Sequence, residues 1–132
     1  MSLGATASGR REFAAFAAVF ALGLTLRVPW LGAIPAPAGD EGNWALVALR
    51  LSEGAHVELA PDARFVTLAF ARMIAALFRL LGPSFATARA VPVAALLGAM
   101  ALAWWLCRRA GAARAGLAIA WALAVHPWGV LW

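Results

Sequence analysis

A long apolar segment without charge, residues 90–107, is the feature that most constrains this chain. A membrane-spanning helix needs about 20 such residues, and the uncharged residues 85–88 can extend the segment. Hydrophobic residues make up 64% of the chain and charged residues 13%, whereas soluble domains average about 45–50% and about 25%. Since a small soluble fold leaves much of its surface in water, the composition predicts an integral membrane protein. It also excludes a disordered chain.

The basic residues predict the orientation of the chain in the membrane. All 11 are Arg, and most lie at the ends of apolar runs. Cytoplasmic loops of membrane proteins carry an excess of basic residues, so Arg10, Arg11 and the cluster within residues 108–114 are assigned to the cytoplasm. With the Arg residues serving this role, the net charge of +5 does not indicate a nucleic-acid partner. The single cysteine, Cys107, excludes an internal disulfide and a cysteine-cluster metal site.

These signals predict an all-α integral membrane chain with three transmembrane helices, at residues 13–34, 89–107 and 115–132. Residues 1–12 form a cytoplasmic tail, and residues 108–114 form a cytoplasmic turn. Two alternatives remain open: four transmembrane helices, with residues 64–81 as the additional one, and a cleavable signal peptide that ends near Ala36-Pro37-Ala38. Arg27, at the outer end of the first apolar run, is expected to extend its side chain toward the lipid headgroups.

The extracytoplasmic region, residues 35–88, contains two predicted juxtamembrane amphipathic helices. Residues 41–53 follow Asp40, a favoured N-cap type, and end before Gly54, a favoured stop. Residues 64–81 place their three Arg side chains in one sector at about 100° per residue. The opposite sector holds large apolar side chains: Val66, Phe70, Met73, Ile74, Leu77, Leu80 and Leu81. A helix with these two faces is typical of the membrane interface.

Two adjacent acids, Asp40 and Glu41, are the candidate catalytic residues. Carboxylates act as general bases or as ligands for divalent cations. A divalent metal ion at Asp40 is therefore the one cofactor that the sequence suggests. The structural alternative is that Asp40 caps a helix and Glu41 complements the helix dipole. The glycines form no phosphate-binding or dinucleotide-binding pattern.

The order of several short motifs adds to this argument. Arg27-Val-Pro-Trp-Leu-Gly precedes Asp40-Glu41-Gly-Asn-Trp-Ala-Leu-Val-Ala, and a later series contains Leu51-Ser-Glu-Gly, Leu80-Leu81-Gly-Pro-Ser, Arg89 and His126-Pro-Trp. This order resembles the amino-terminal module of GT-C glycosyltransferases over residues 13–132. The most similar group contains the protein O-mannosyltransferases and aminoarabinose transferases. In that group D-E-x-x-Y-x-x-x-A opens a juxtamembrane helix, and here Trp44 stands in the Tyr position.

The resemblance implies an inverting transferase in the bacterial inner membrane. It would pass a hexosyl or pentosyl group from a polyprenyl-phosphate donor to a protein or glycolipid acceptor on the outer face. Asp40 and Glu41 would be catalytic, and Arg64, where relatives often carry Lys-Pro-Pro, would bind the donor phosphate. Relatives contain further spans, so the chain is expected to be the amino-terminal part of a longer enzyme and inactive alone. Two other interpretations stay open: a small non-enzymatic membrane assembly protein, and a fragment of a transporter.

Overall fold

The computed structural model describes residues 7–33, 41–57 and 64–126, and all regular structure in these ranges is helical. The all-α class predicted from the sequence is therefore confirmed for this part of the chain. In chain order the helices are α1 (Ala7–Thr25), α2 (Trp30–Ala33), α3 (Glu41–Ser52), α4 (Arg64–Leu81), α5 (Phe85–Arg109) and α6 (Ala113–Val125). The two helices predicted at residues 41–53 and 64–81 have the predicted bounds to within one residue.

Local sequence signals explain where the helices begin and end. Gly54, at φ +83°, follows α3 and turns the chain so that the amide of Ala55 donates to the carbonyl of Arg50 at 2.9 Å. This is a Schellman arrangement, and it confirms the stop predicted at Gly54. The hydroxyl of Ser84 accepts a hydrogen bond from the amide of Thr87 at 3.0 Å, so Ser84 caps α5. That cap starts the helix before residue 89, where the sequence placed the beginning of the span.

Among the described helices, α5 alone is long and apolar enough to cross a membrane, and 22% of its apolar window is buried within the chain. α1 includes Arg10, Arg11 and Glu12, and it ends at Thr25 before a turn at residues 26–29. The span predicted for residues 13–34 is therefore not one continuous helix. α6 has 13 residues, and residues 127–132 of the predicted last span lie outside the described part.

Contacts divide the described residues into two compact units, each with its own apolar core. Unit 2 comprises those within residues 30–91. In it, α3 packs against α4 around buried side chains of α3, α4 and the start of α5: Ala48, Ile74, Ala75, Phe78, Ala88 and Val91. Alanine at such positions lets helix backbones approach closely.

Unit 1 comprises the described residues within 1–29 and 92–132. In it, α1 packs against α6, and α5 contributes Met100 and Trp104 to the buried core. The indole of Trp104 stacks on the ring of Phe16, with centroids 4.3 Å apart and planes inclined by 9°. Offset aromatic stacking adds stability beyond the buried area alone, so this pair joins α1 to α5.

Arg27 lies in the interior of unit 1 and is only 2% exposed. One terminal nitrogen, Nη1, donates to the carbonyls of Gly23 at 2.9 Å and Ala124 at 2.8 Å. The other, Nη2, donates to the carbonyl of Leu123 at 2.9 Å. The expectation that Arg27 extends toward the lipid headgroups is therefore wrong, because the last turn of α6 offers carbonyls that an arginine fork can bind.

Two helical glycines provide a test of packing in unit 1. A Cβ on Gly116 of α6 would lie 2.9 Å from Cys107 Cβ and 3.0 Å from Trp104 Cα, whereas a Cβ on Gly98 of α5 would meet nothing within 4 Å. We expect Gly116→Ala to lower the free energy of unfolding by about 1–3 kcal/mol through overpacking. Gly98→Ala should raise it by about 0.5–1 kcal/mol because alanine favours the helix. Unfolding in mixed micelles, followed by circular dichroism, measures both; shifts of the same sign would contradict this packing.

Candidate functional site

Glu41 and Arg89 form a bidentate ion pair in unit 2. Glu41 is the first residue of α3, and Arg89 lies in the second turn of α5. Arg89 Nε donates to Glu41 Oε1 at 2.5 Å, and Nη2 donates to Oε2 at 3.0 Å. Parallel hydrogen bonds of this kind fix geometry as well as charge. The pair therefore holds the beginning of α3 against the beginning of α5.

The surroundings of Arg89 strengthen this anchor. Its third nitrogen, Nη1, donates to the carbonyl of Leu31 in α2 at 3.2 Å. The side chain of Arg89 is 7% exposed and that of Glu41 is 20% exposed. The guanidinium carbon also lies 5.7 Å from the ring centroid of Phe85. One arginine thus connects three helices of unit 2 in a setting from which most water is excluded.

The ion pair constrains what Glu41 does chemically. Both carboxylate oxygens accept hydrogen bonds from Arg89, so one acceptor site on each oxygen is occupied by the guanidinium while the pair is intact. A negative charge at the first residue of α3 also interacts favourably with the helix dipole. The geometry therefore suits Glu41 to positioning the residues around it, and a direct catalytic role for Glu41 stays a prediction.

The structure describes the other two predicted site residues, Asp40 and Arg64, only in part or not at all. Asp40 immediately precedes α3 and lies outside the described residues. Arg64 is the first residue of α4, but its side chain also lies outside the described part. In the described ranges no group of three or more His, Cys, Asp or Glu residues is placed to hold a metal ion. A divalent cation at Asp40 stays a prediction.

Arg79 holds the opposite end of α3. Its Nε donates to the carbonyl of Ser52 at 3.1 Å, and its Nη2 donates to the carbonyl of Leu51 at 2.8 Å. The last carbonyls of a helix have no donor within the helix, and a nearby arginine satisfies them. The helix that follows the acidic pair is therefore anchored at both ends by arginines from other helices.

Trp44 packs inside unit 2. It stands where the GT-C pattern that the sequence resembles has a tyrosine. Its ring meets that of Phe70 edge to face, with centroids 6.3 Å apart and planes at 83°. This geometry is favourable for aromatic pairs and needs no hydroxyl. Trp44 therefore joins α3 to α4 by packing.

Sequence reasoning assigned Arg89 only to the opening of a span and Arg79 only to a basic helix face. Arg89 and Glu41 lie 48 positions apart, and Arg79 and Ser52 lie 27 apart. No local periodicity connects residues at such distances. One sequence signal could have suggested these pairings. Arginines at the ends of apolar helices favour acidic side chains and the unpaired carbonyls of helix ends as partners.

Comparisons of the chain with protein families, with curated proteins and with solved structures find no match.

Proposed function

We propose that this chain is the amino-terminal part of an inverting membrane glycosyltransferase. The enzyme transfers a hexosyl or pentosyl group from a polyprenyl-phosphate donor to a protein or glycolipid acceptor outside the bacterial inner membrane. The observation that carries the proposal is the Glu41–Arg89 ion pair, which fixes the start of α3 directly after Asp40. A general base acts only when it is held within hydrogen-bond reach of its substrate, and an anchored helix start provides a rigid support of that kind.

The proposal includes a membrane arrangement. α5 is one span, the apolar regions that contain α1 and α6 are two more, and α3 and α4 lie at the outer surface. Support comes from α4, where Met73, Leu80 and Leu81 are 56%, 78% and 71% exposed while Arg72 and Arg79 are also exposed. A helix that presents both apolar and basic side chains outward suits the boundary between acyl chains and headgroups.

In the proposed reaction Asp40 accepts the proton of the acceptor hydroxyl as the hydroxyl oxygen attacks the anomeric carbon of the sugar. The bond between that carbon and the phosphate oxygen breaks, and polyprenyl phosphate leaves with the electron pair. Arg64 donates hydrogen bonds to the departing phosphate, because the planar guanidinium can donate to two phosphate oxygens at once. Glu41 and Arg89 act as positioning residues for Asp40.

Asp40→Asn tests the proposal. Asparagine caps a helix about as well as aspartate, so the protein level should stay unchanged. Loss of a positioned general base lowers the rate about 10²–10⁴-fold. The substitution is made in the chromosomal gene, and membranes are assayed for transfer from polyprenyl-phosphate mannose and polyprenyl-phosphate aminoarabinose.

Glu53→Gln is the matched control, because it removes an exposed acid just after α3 and should leave transfer unchanged. Equal transfer by Asp40→Asn and Glu53→Gln membranes would remove Asp40 from the mechanism. Wild-type membranes that use neither donor would contradict the proposed donor sugars.

A further inference from the structure

A shallow cavity of about 320 Å³, open on one side, lies at the carboxyl end of α5 and is lined by Trp104, Trp105, Arg108 and Arg109. Each arginine is paired with one of the indoles. The guanidinium carbon of Arg108 lies 5.2 Å from the ring centroid of Trp104, and that of Arg109 lies 4.7 Å from the centroid of Trp105. Both distances are within the range of cation–π attraction. The aromatic rings therefore hold two adjacent positive charges at the rim of one cavity.

The helix end does not need these two side chains as caps. Gly111, at φ +74°, forms a Schellman turn in which its amide donates to the carbonyl of Arg108 at 3.1 Å. The amide of Ala112 donates to the carbonyl of Cys107 at 2.8 Å in the same turn. The carbonyls of Cys107 and Arg108 are thus satisfied by backbone donors. The guanidinium groups are left available for another acceptor.

Both arginines are exposed, and within the described residues neither guanidinium has a carboxylate or hydrogen-bond partner. Stacking on an indole occupies the face of a guanidinium but leaves the N–H groups at its edge free to donate. Two guanidinium groups that line the same cavity suit an anion with several oxygens, and phosphate fits this description.

The apolar surface beside the cavity narrows the identity of the anion. Leu102, Trp105 and Leu106 are exposed on the same turns of α5, the helix that is long and apolar enough to cross a membrane. A ligand that satisfies both features carries a phosphate and acyl chains. Basic pockets at the cytoplasmic ends of spans bind anionic lipid headgroups, and Trp residues favour the same depth.

We propose that the Arg108–Arg109 cavity binds the headgroup phosphate of an anionic glycerophospholipid. The two guanidinium groups donate to the phosphate oxygens, the indoles hold the guanidinium groups in place, and the acyl chains lie along the exposed apolar side chains of α5. This inference rests on α5 crossing the membrane and is independent of the transferase proposal.

Native mass spectrometry of the full chain, released from detergent, measures the binding of single lipids. Dioleoyl-phosphatidylglycerol, dioleoyl-phosphatidylcholine and glycerol 3-phosphate are the three probes. Each arginine near an anionic surface contributes about fivefold in affinity. We therefore expect phosphatidylglycerol to lose about fivefold in affinity with Arg108→Gln or Arg109→Gln and about 30-fold with both. Phosphatidylcholine should bind weakly to every variant.

Arg114→Gln is the matched control, because it removes the same charge from the same basic stretch but from a residue that does not line the cavity. It should leave the affinity for phosphatidylglycerol unchanged. An equal loss in Arg114→Gln would reduce the effect to diffuse charge attraction and overturn the proposal. Equal affinity for the two lipids, or glycerol 3-phosphate binding as tightly as the intact anionic lipid, would also overturn it. If the double variant loses helical circular dichroism, the single variants decide the result.

Discussion

Replacing Arg89 by methionine is expected to destabilise unit 2 by about 1.5–3 kcal/mol, the usual contribution of hydrogen bonds to a charged group, because the Glu41–Arg89 pair is only partly buried. Glu41, which is 20% exposed, would keep its charge without a counterion. The carbonyl of Leu31 would lose the donor that now lies 3.2 Å away. Amide hydrogen exchange across α3, measured on the full chain in detergent micelles, reports the loss as faster exchange of residues 41–52.

Arg50→Met provides the control for this experiment. Arg50 is an exposed arginine on α3, so the same chemical change there should leave exchange unaltered. The double variant Glu41→Leu/Arg89→Met should recover most of the lost protection, because replacing both partners of a buried pair by apolar groups is often nearly neutral. Exchange in the double variant as fast as in Arg89→Met would show that the ion pair is not the source of the stability.

Replacing Arg27 by methionine is expected to lower the stability of unit 1 by at least about 3 kcal/mol. The substitution leaves the carbonyls of Gly23, Leu123 and Ala124 without their arginine donor, and each buried acceptor without a partner costs about 1–3 kcal/mol. The effect is measured as a shift in the midpoint of SDS-induced unfolding, followed by circular dichroism.

Two further variants separate the causes of the Arg27 effect. Arg11→Met removes an exposed arginine from α1, the helix that precedes Arg27, and should leave the unfolding midpoint unchanged. Arg27→Lys keeps the charge but not the planar fork that reaches two successive carbonyls, so its midpoint should lie between those of wild type and Arg27→Met. A midpoint for Arg27→Met equal to that of Arg11→Met would mean that these hydrogen bonds add nothing to stability.

The sequence predicted the bounds of α3 and α4 well because their signals are local. Gly54 supplies the turn after α3, and the apolar period of α4 continues until Gly82. The same period predicted only part of the packing of α4: Ile74, on the predicted apolar face, is buried in the core, and Phe70 and Leu77 pack against it. The large apolar side chains Met73, Leu80 and Leu81 of α4 are exposed, whereas Ala75 and Phe78 lie in the core shared with α3. Alanine adds little to an apolar pattern, yet it permits close helix contact.

The sequence predicted which types of residue form the candidate site but not which residues form hydrogen bonds with one another. An acidic pair before a helix is visible in the sequence, and so is an arginine at the start of an apolar segment. The partner of Glu41 lies 48 positions away, and the two carbonyls of α6 bound by Arg27 lie 96 and 97 positions away. These pairings depend on tertiary packing, which overrides what a local pattern conveys.

The hydrogen bonds of Arg27 have a consequence for the biosynthesis of the chain. Gly23, which offers the first acceptor, is synthesised just before Arg27, but Leu123 and Ala124 follow it by 96 and 97 residues. At about 5–20 residues per second, the ribosome needs roughly 5–20 s to make them. During that interval the guanidinium has only one of its three final acceptors, so it must keep its contact with water. The docking of the newly made α6 is then the step that withdraws Arg27 from water and completes unit 1.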